Sequence, residues 1–140
     1  MKALVKTKRE PGAELKEVPN PKPGDNDVLV KVKAASICGA DIYIYYWMKQ
    51  AIAFNIPIPL IFGHEMSGEV VDVGRNVHRI AKGDRIAVET HIPCQECFLC
   101  QGGNMHICNN LKIFGIHTDG AFADYAVVPS ICAYKIPKDV

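Results

Sequence analysis

The chain has 140 residues, 49% of them apolar, with a formal net charge of +1 at pH 7. That length is one domain with room for a core, and the near-neutral charge removes the electrostatic basis for binding DNA or RNA. No apolar run reaches bilayer-spanning length, and the opening Met1-Lys2-Ala3-Leu4-Val5-Lys6 is too short and too charged for a secretory signal.

In chain order, Pro19-Asn20-Pro21-Lys22-Pro23-Gly24-Asp25 is a turn, because its prolines exclude a strand or helix interior. Val28, Val30 and Val32 then alternate with Lys31 and Lys33, the period of a half-buried strand. Asp41 to Gln50 is predicted as an amphipathic helix, with Tyr43, Tyr45, Tyr46 and Trp47 packing as core or lid. Val70, Val71 and Val73 form a strand closed by Gly74-Arg75-Asn76, and Lys82-Gly83-Asp84 turns into another from Arg85 to Glu89. A last strand is predicted from Ala121 to Val128, and Ile136 to Val140 reads as a strand exit and the start of a linker. Short strands joined by Gly and Pro turns predict a mainly β (α+β) fold, barrel-like, with short helices.

The most specific pattern is Cys94, Cys97, Cys100 and Cys108, spaced Cys-x2-Cys-x2-Cys-x7-Cys. One loop can turn these thiolates onto a single tetrahedral ion, and zinc suits a four-sulfur shell. Four sulfurs leave no open position, so the expected role is structural. Three of the four sit too near one another for efficient disulfide pairing, and with no export signal the six cysteines indicate a reduced, cytoplasmic compartment.

Reactive chemistry then falls to Cys38 and the triplet Gly63-His64-Glu65. A catalytic zinc needs a thiolate, a neutral imidazole, a further donor and one open position. Cys38 and His64 supply the first two, and Glu65 is either a ligand or a neighbour that orients the site. Spacing alone leaves another reading open, in which Cys38 is a small buried apolar residue and His64 a structural histidine.

Taken together, Cys38-Gly39-x-Asp41, Gly63-His64-Glu65-x-x-Gly68, Gly83-Asp84-Arg85 and the four-cysteine loop resemble the zinc-containing medium-chain alcohol dehydrogenases. The resemblance covers essentially the whole chain in order. Val88-Glu89-Thr90-His91-Ile92 and Lys112-Ile113-Phe114-Gly115 resemble the threonine dehydrogenase branch more than its polyol dehydrogenase relatives. It implies that residues 1–140 form a GroES-like catalytic domain, with one catalytic zinc on Cys38, His64 and Glu65 and one structural zinc on the four cysteines. It implies NAD as hydride acceptor, a small alcohol or amino-acid substrate, oxidation of L-threonine to 2-amino-3-oxobutanoate, and a homotetramer at full length. The alternatives are a polyol- or butanediol-type dehydrogenase domain and a non-catalytic zinc-stabilised binding module.

Two positions depart from the family pattern. Ala40 stands where a substrate-facing Thr or Ser is usual, and Tyr43 where a proton-relaying His is usual, so proton removal is expected to be slower, rerouted through water, or lost. Tyr43 keeps a hydroxyl, but its pKa near ~10 makes it a poor relay at neutral pH. No Gly-x-Gly occurs in the chain, so the dinucleotide fingerprint is missing. The expectation is a catalytic domain without its Rossmann partner, inactive in isolation. His91 reads two ways, as the substrate-side histidine of the threonine branch or as a loop histidine near the structural zinc. His106 is surplus beside four thiolates, His78 and His117 are expected in solvent-facing turns, and Cys132 is expected as an inert thiol in a short apolar strand.

Overall fold

A computed structural model describes all 140 residues, Met1 to Val140. The fold is built from strands, and every ladder between them is antiparallel. The main sheet has five strands in the order β10-β6-β5-β3-β9. These are β3 (Asp27–Ser36), β5 (Glu65–Val73), β6 (Arg85–Val88), β9 (Tyr125–Pro129) and β10 (Ala133–Lys135). A second sheet orders β2 (Glu14–Glu17), β1 (Lys2–Lys6) and β4 (Leu60–Ile61), and a two-stranded ribbon pairs β7 (His91–Ile92) with β8 (Lys112–Ile113).

The alternation read in the sequence is what curls the main sheet around its core. Val28 and Val30 of β3 are fully buried against Val70, Ile86 and Val128 from three other strands. Burying one such side chain contributes roughly 1.5–3 kcal/mol. Register shifts on β3 between Leu29 and Val30 and between Val32 and Ala34 bend the strand, as extra residues in one partner do. Gly68 sits at the second shift, where a Cβ would lie 2.4 Å from the Lys31 carbonyl oxygen. Only glycine lets the strands approach that closely.

Four expectations need correction. The single helix over 41–50 is two: α1 (Gly39–Tyr46) and α2 (Lys49–Ala53), separated by Trp47 in the left-handed region at φ 53°. Aromatics hold a helix weakly, and here the chain breaks where the Tyr45 carbonyl accepts from the Gly12 amide and the Lys6 ammonium. The strand over 121–128 starts only at Tyr125, because Ala121 and Phe122 donate instead to the carbonyls of Gly63 and Phe62. His117 is half-buried, not solvent-facing: its Nδ1 accepts from the Ile113 amide and its Nε2 lies 3.0 Å from the Phe54 carbonyl. Cys132 is buried as expected, but in a 3-10 turn (Ser130–Cys132), with burial pushing its thiol up to about 11.

Candidate metal centres

The ladder between β3 and β5 ends on the pair Ser36↔Glu65. That register sets the exit of β3, which runs through Ile37 to Cys38, beside the entry of β5, which arrives through Gly63 and His64. One ligand atom each from Cys38, His64 and Glu65 lies within 4.8 Å of the others. Gly63 makes the turn at φ 93°, with the Phe122 ring 2.6 Å from where a Cβ would be. A side chain there is excluded twice, by backbone strain and by the ring.

Asp41, quoted in the motif but given no role, is the member of the cluster that sequence reasoning missed. It is 2% exposed. Its Oδ2 accepts from the Cys38 amide at 2.8 Å, which fixes Cys38 at the start of α1 as half of a capping box. Its Oδ1 lies 3.3 Å from His64 Nδ1, a long and angled ion-pair contact, and neither of these buried atoms has any other partner. The Asp41 carboxylate, outweighing burial, holds the His64 pKa up at about 9. A carboxylate on one imidazole nitrogen leaves the other, Nε2, as the lone-pair donor, the arrangement that stands behind metal-bound histidines. Ser36 donates to Glu65 Oε2 at 2.5 Å. Thiolate, imidazole and carboxylate, with the histidine already oriented, fit a zinc ion with a position to spare.

The four cysteines also converge, with all four sulfurs within 4.8 Å of one another. Backbone amides point at them: Cys94 N–H and Asn110 N–H at Cys108 Sγ, both at 3.3 Å, and Cys97 N–H at Cys94 Sγ at 3.4 Å. Amides of Cys100 and Asn109 bring the Cys97 thiol down to about 6, whereas burial raises Cys100. Donors aimed at sulfur are what thiolates require, so this loop fits a closed four-sulfur site. His106 is exposed in a 3-10 turn (Met105–Ile107) and stands outside the cluster.

Tyr43 is half-buried on α1. His91 is exposed in β7, with Nδ1 2.5 Å from Glu89 Oε1. It lines a cavity of about 330 Å³ whose walls include Pro93, Gly103, Met105 and His106 of the four-cysteine region, and not Cys38, His64 or Glu65.

A curled antiparallel barrel with one closed and one open cluster of metal-binding side chains defines a metal-binding β domain. Residues 24–138 match the alcohol dehydrogenase GroES-like domain family, and the chain belongs to that family. It is 53% identical over its whole length to L-threonine 3-dehydrogenase of Pyrococcus furiosus, covering 40% of that protein. It is 46% identical to L-threonine 3-dehydrogenase of Shewanella frigidimarina, covering 41%. Among solved structures, an alcohol dehydrogenase of Escherichia coli CFT073 complexed with NADH superposes with a TM-score of 0.86 at 38% identity, over 100% of this chain and 39% of that one. The cobalt- and zinc-bound thermostable alcohol dehydrogenase of Pyrobaculum aerophilum gives 0.84 at 31%, over 99% and 42%. The chain thus spans about 40% of the length of the curated relatives it matches. No helix is long and apolar enough to cross a membrane.

Proposed function

We propose that this chain is the metal-binding catalytic domain of a zinc-dependent dehydrogenase that oxidises a secondary alcohol, L-threonine to 2-amino-3-oxobutanoate, with NAD. The observation that carries the reading is the convergence of Cys38, His64 and Glu65 with Asp41 buried behind the imidazole. The identity to threonine dehydrogenases supports the substrate. These three residues would hold the catalytic zinc and the four cysteines the structural one, with NAD held by a Rossmann unit outside these residues.

When bound at the open site, zinc supplies Lewis acidity toward an alcohol oxygen, and NAD accepts the hydride. The chain's own groups prepare that chemistry. Asp41 fixes the His64 tautomer and the Cys38 amide together, and Ser36 holds one oxygen of Glu65. Ala40 offers no hydroxyl to take the substrate proton, and Tyr43 stands where the family has a proton-relaying His, so the proton leaves through water. In a protein of the relatives' full length, Ala40→Thr combined with Tyr43→His should raise turnover of L-threonine by roughly tenfold or more, the lower range of positioned proton transfer. An unchanged turnover would remove Ala40 and Tyr43 from the account.

Metal analysis of the purified chain tests the site. One tightly held zinc equivalent is expected at the four cysteines, with weak or partial occupancy at Cys38 and His64 that is lost in Cys38→Ser. A single equivalent, unchanged in that variant, supports the other reading, a zinc-stabilised module without catalysis, which Ala40 favours. At full length, NAD reduction with L-threonine but not with a polyol or butanediol is the expected specificity; the reverse preference would overturn the substrate.

A further inference from the structure

Lys6 is the largest fully buried side chain in the protein, 0% exposed. An ammonium taken out of water needs all its protons satisfied. Here three carbonyl oxygens accept them: Glu10 at 2.5 Å, Gly12 at 2.8 Å and Tyr45 at 2.8 Å. The ammonium also lies 5.6 Å from the centre of the Trp47 ring, within cation–π range.

The two ends of this residue reach the two segments that supply the open site. Through its backbone, Lys6 pairs with Leu60 of β4, four positions before His64. Through its side chain, it grips the carbonyl of Tyr45 in the last turn of α1, where helix carbonyls lack internal partners and carry partial negative charge. The opposite end of α1 carries Cys38 and Asp41. Eight helical residues span about 12 Å, short and stiff enough that a shift at Tyr45 reaches Cys38.

We propose that Lys6 is a positioning residue for the open metal site, clamping the helix that bears Cys38 and Asp41 to the strand that leads to His64. The proposal rests on the reading of Cys38, His64 and Glu65 as a metal site. It differs from a role in stability alone, which would lower the unfolding temperature and leave the metal geometry of the folded protein as it was.

Cobalt(II) titration of the whole chain, with zinc kept on the four cysteines, separates the two. Visible absorption reads both the affinity of the open site and its geometry, well below the unfolding temperature of each protein. Wild type should take up one cobalt with a thiolate charge-transfer band. Lys6→Met should bind it roughly tenfold more weakly, the lower range for lost orienting partners, with a shifted d–d spectrum and the zinc still held by the four cysteines. Equal affinity and an identical spectrum in Lys6→Met, whatever its unfolding temperature, would overturn the role of Lys6 alone. A wild type that takes up no cobalt would overturn the metal-site reading, and this proposal with it. If Lys6→Met does not fold, Lys6→Gln, which keeps a terminal NH2, replaces it with the same two outcomes.

Discussion

Asp41 and His64 act as one unit. Removing the carboxylate frees the imidazole to choose either tautomer and unties the Cys38 amide, so Asp41→Ala should weaken metal binding at the open site by about 10–100-fold. Competition with a chromogenic chelator measures this, and a full-affinity Asp41→Ala protein would refute the arrangement. The pair also fixes a pH dependence. The folded, metal-free pKa of His64 is raised to about 9 from 6.5. Its stabilisation of the metal-free fold is therefore complete below about 6.5 and lost as pH rises through 9. Metal binding runs the other way: the proton on Nε2 must leave, so affinity should climb with pH and level off above about 9. Calorimetry at pH 7 in buffers of different ionisation enthalpy should show proton release on zinc uptake at the open site, and about one proton fewer in His64→Ala, where the Cys38 thiol still has to ionise. Cys38 and His64 stood out in the sequence only through the resemblance of their glycine-marked motifs to a family, since spacing alone also allowed a structural reading. Asp41 was not legible as a partner, since its role depends on a contact across 23 residues of chain, and Lys6 looked like any surface lysine until its protons were traced.

The four-cysteine loop is an element held by its ligands. Its regular structure is α3 (Phe98–Gln101) and one 3-10 turn, and it exposes Phe98 at 85%, so little apolar burial supports it without an ion. Chelation should therefore melt residues 94–110 before the main sheet. Limited proteolysis should cut there first, and a loop still resistant after complete metal removal would contradict this coupling. Gln95, exposed between the first two cysteines, has φ 67°. Gln95→Gly should stabilise the loop by up to about 1 kcal/mol, relief of left-handed strain offset by chain entropy, read as a higher thermal midpoint of the zinc-loaded chain. Strand β3 was legible from its alternating valines, and β5 and β6 from a valine run and the glycine turn between them, whereas β10 (Ala133–Lys135) was not read. Strand β2 was not legible either, because all four of its residues are exposed and leave no alternation to read. The split between α1 and α2 was hidden for another reason: the Lys6 and Gly12 donors that end α1 at Tyr45 come from the far end of the sequence.

Over the whole molecule, the curled sheet and its two bends fix where the sites stand. Gly68→Ala should disrupt the β3–β5 ladder, because the methyl would meet the Lys31 carbonyl at 2.4 Å; the cost, several kcal/mol by analogy with overpacking at about 1–3 kcal/mol or more, should appear in chemical denaturation as a lower midpoint. A variant as stable as wild type would mean the strands can part without penalty. The same ladder has a consequence for how such a domain can change. Cys38 and His64 are brought together by the pairing of Ser36 with Glu65, not by the course of the chain between them. That intervening stretch, α1, α2 and the approach through Pro57 and Pro59, leaves from and returns to a closed zipper. Lengthening a loop with fixed ends adds only about 0.6 kcal/mol per doubling. Insertions after α1 can therefore change the surface beside Cys38 and His64 while the geometry of the cluster stays as it is, which makes this segment the natural place for such a domain to vary.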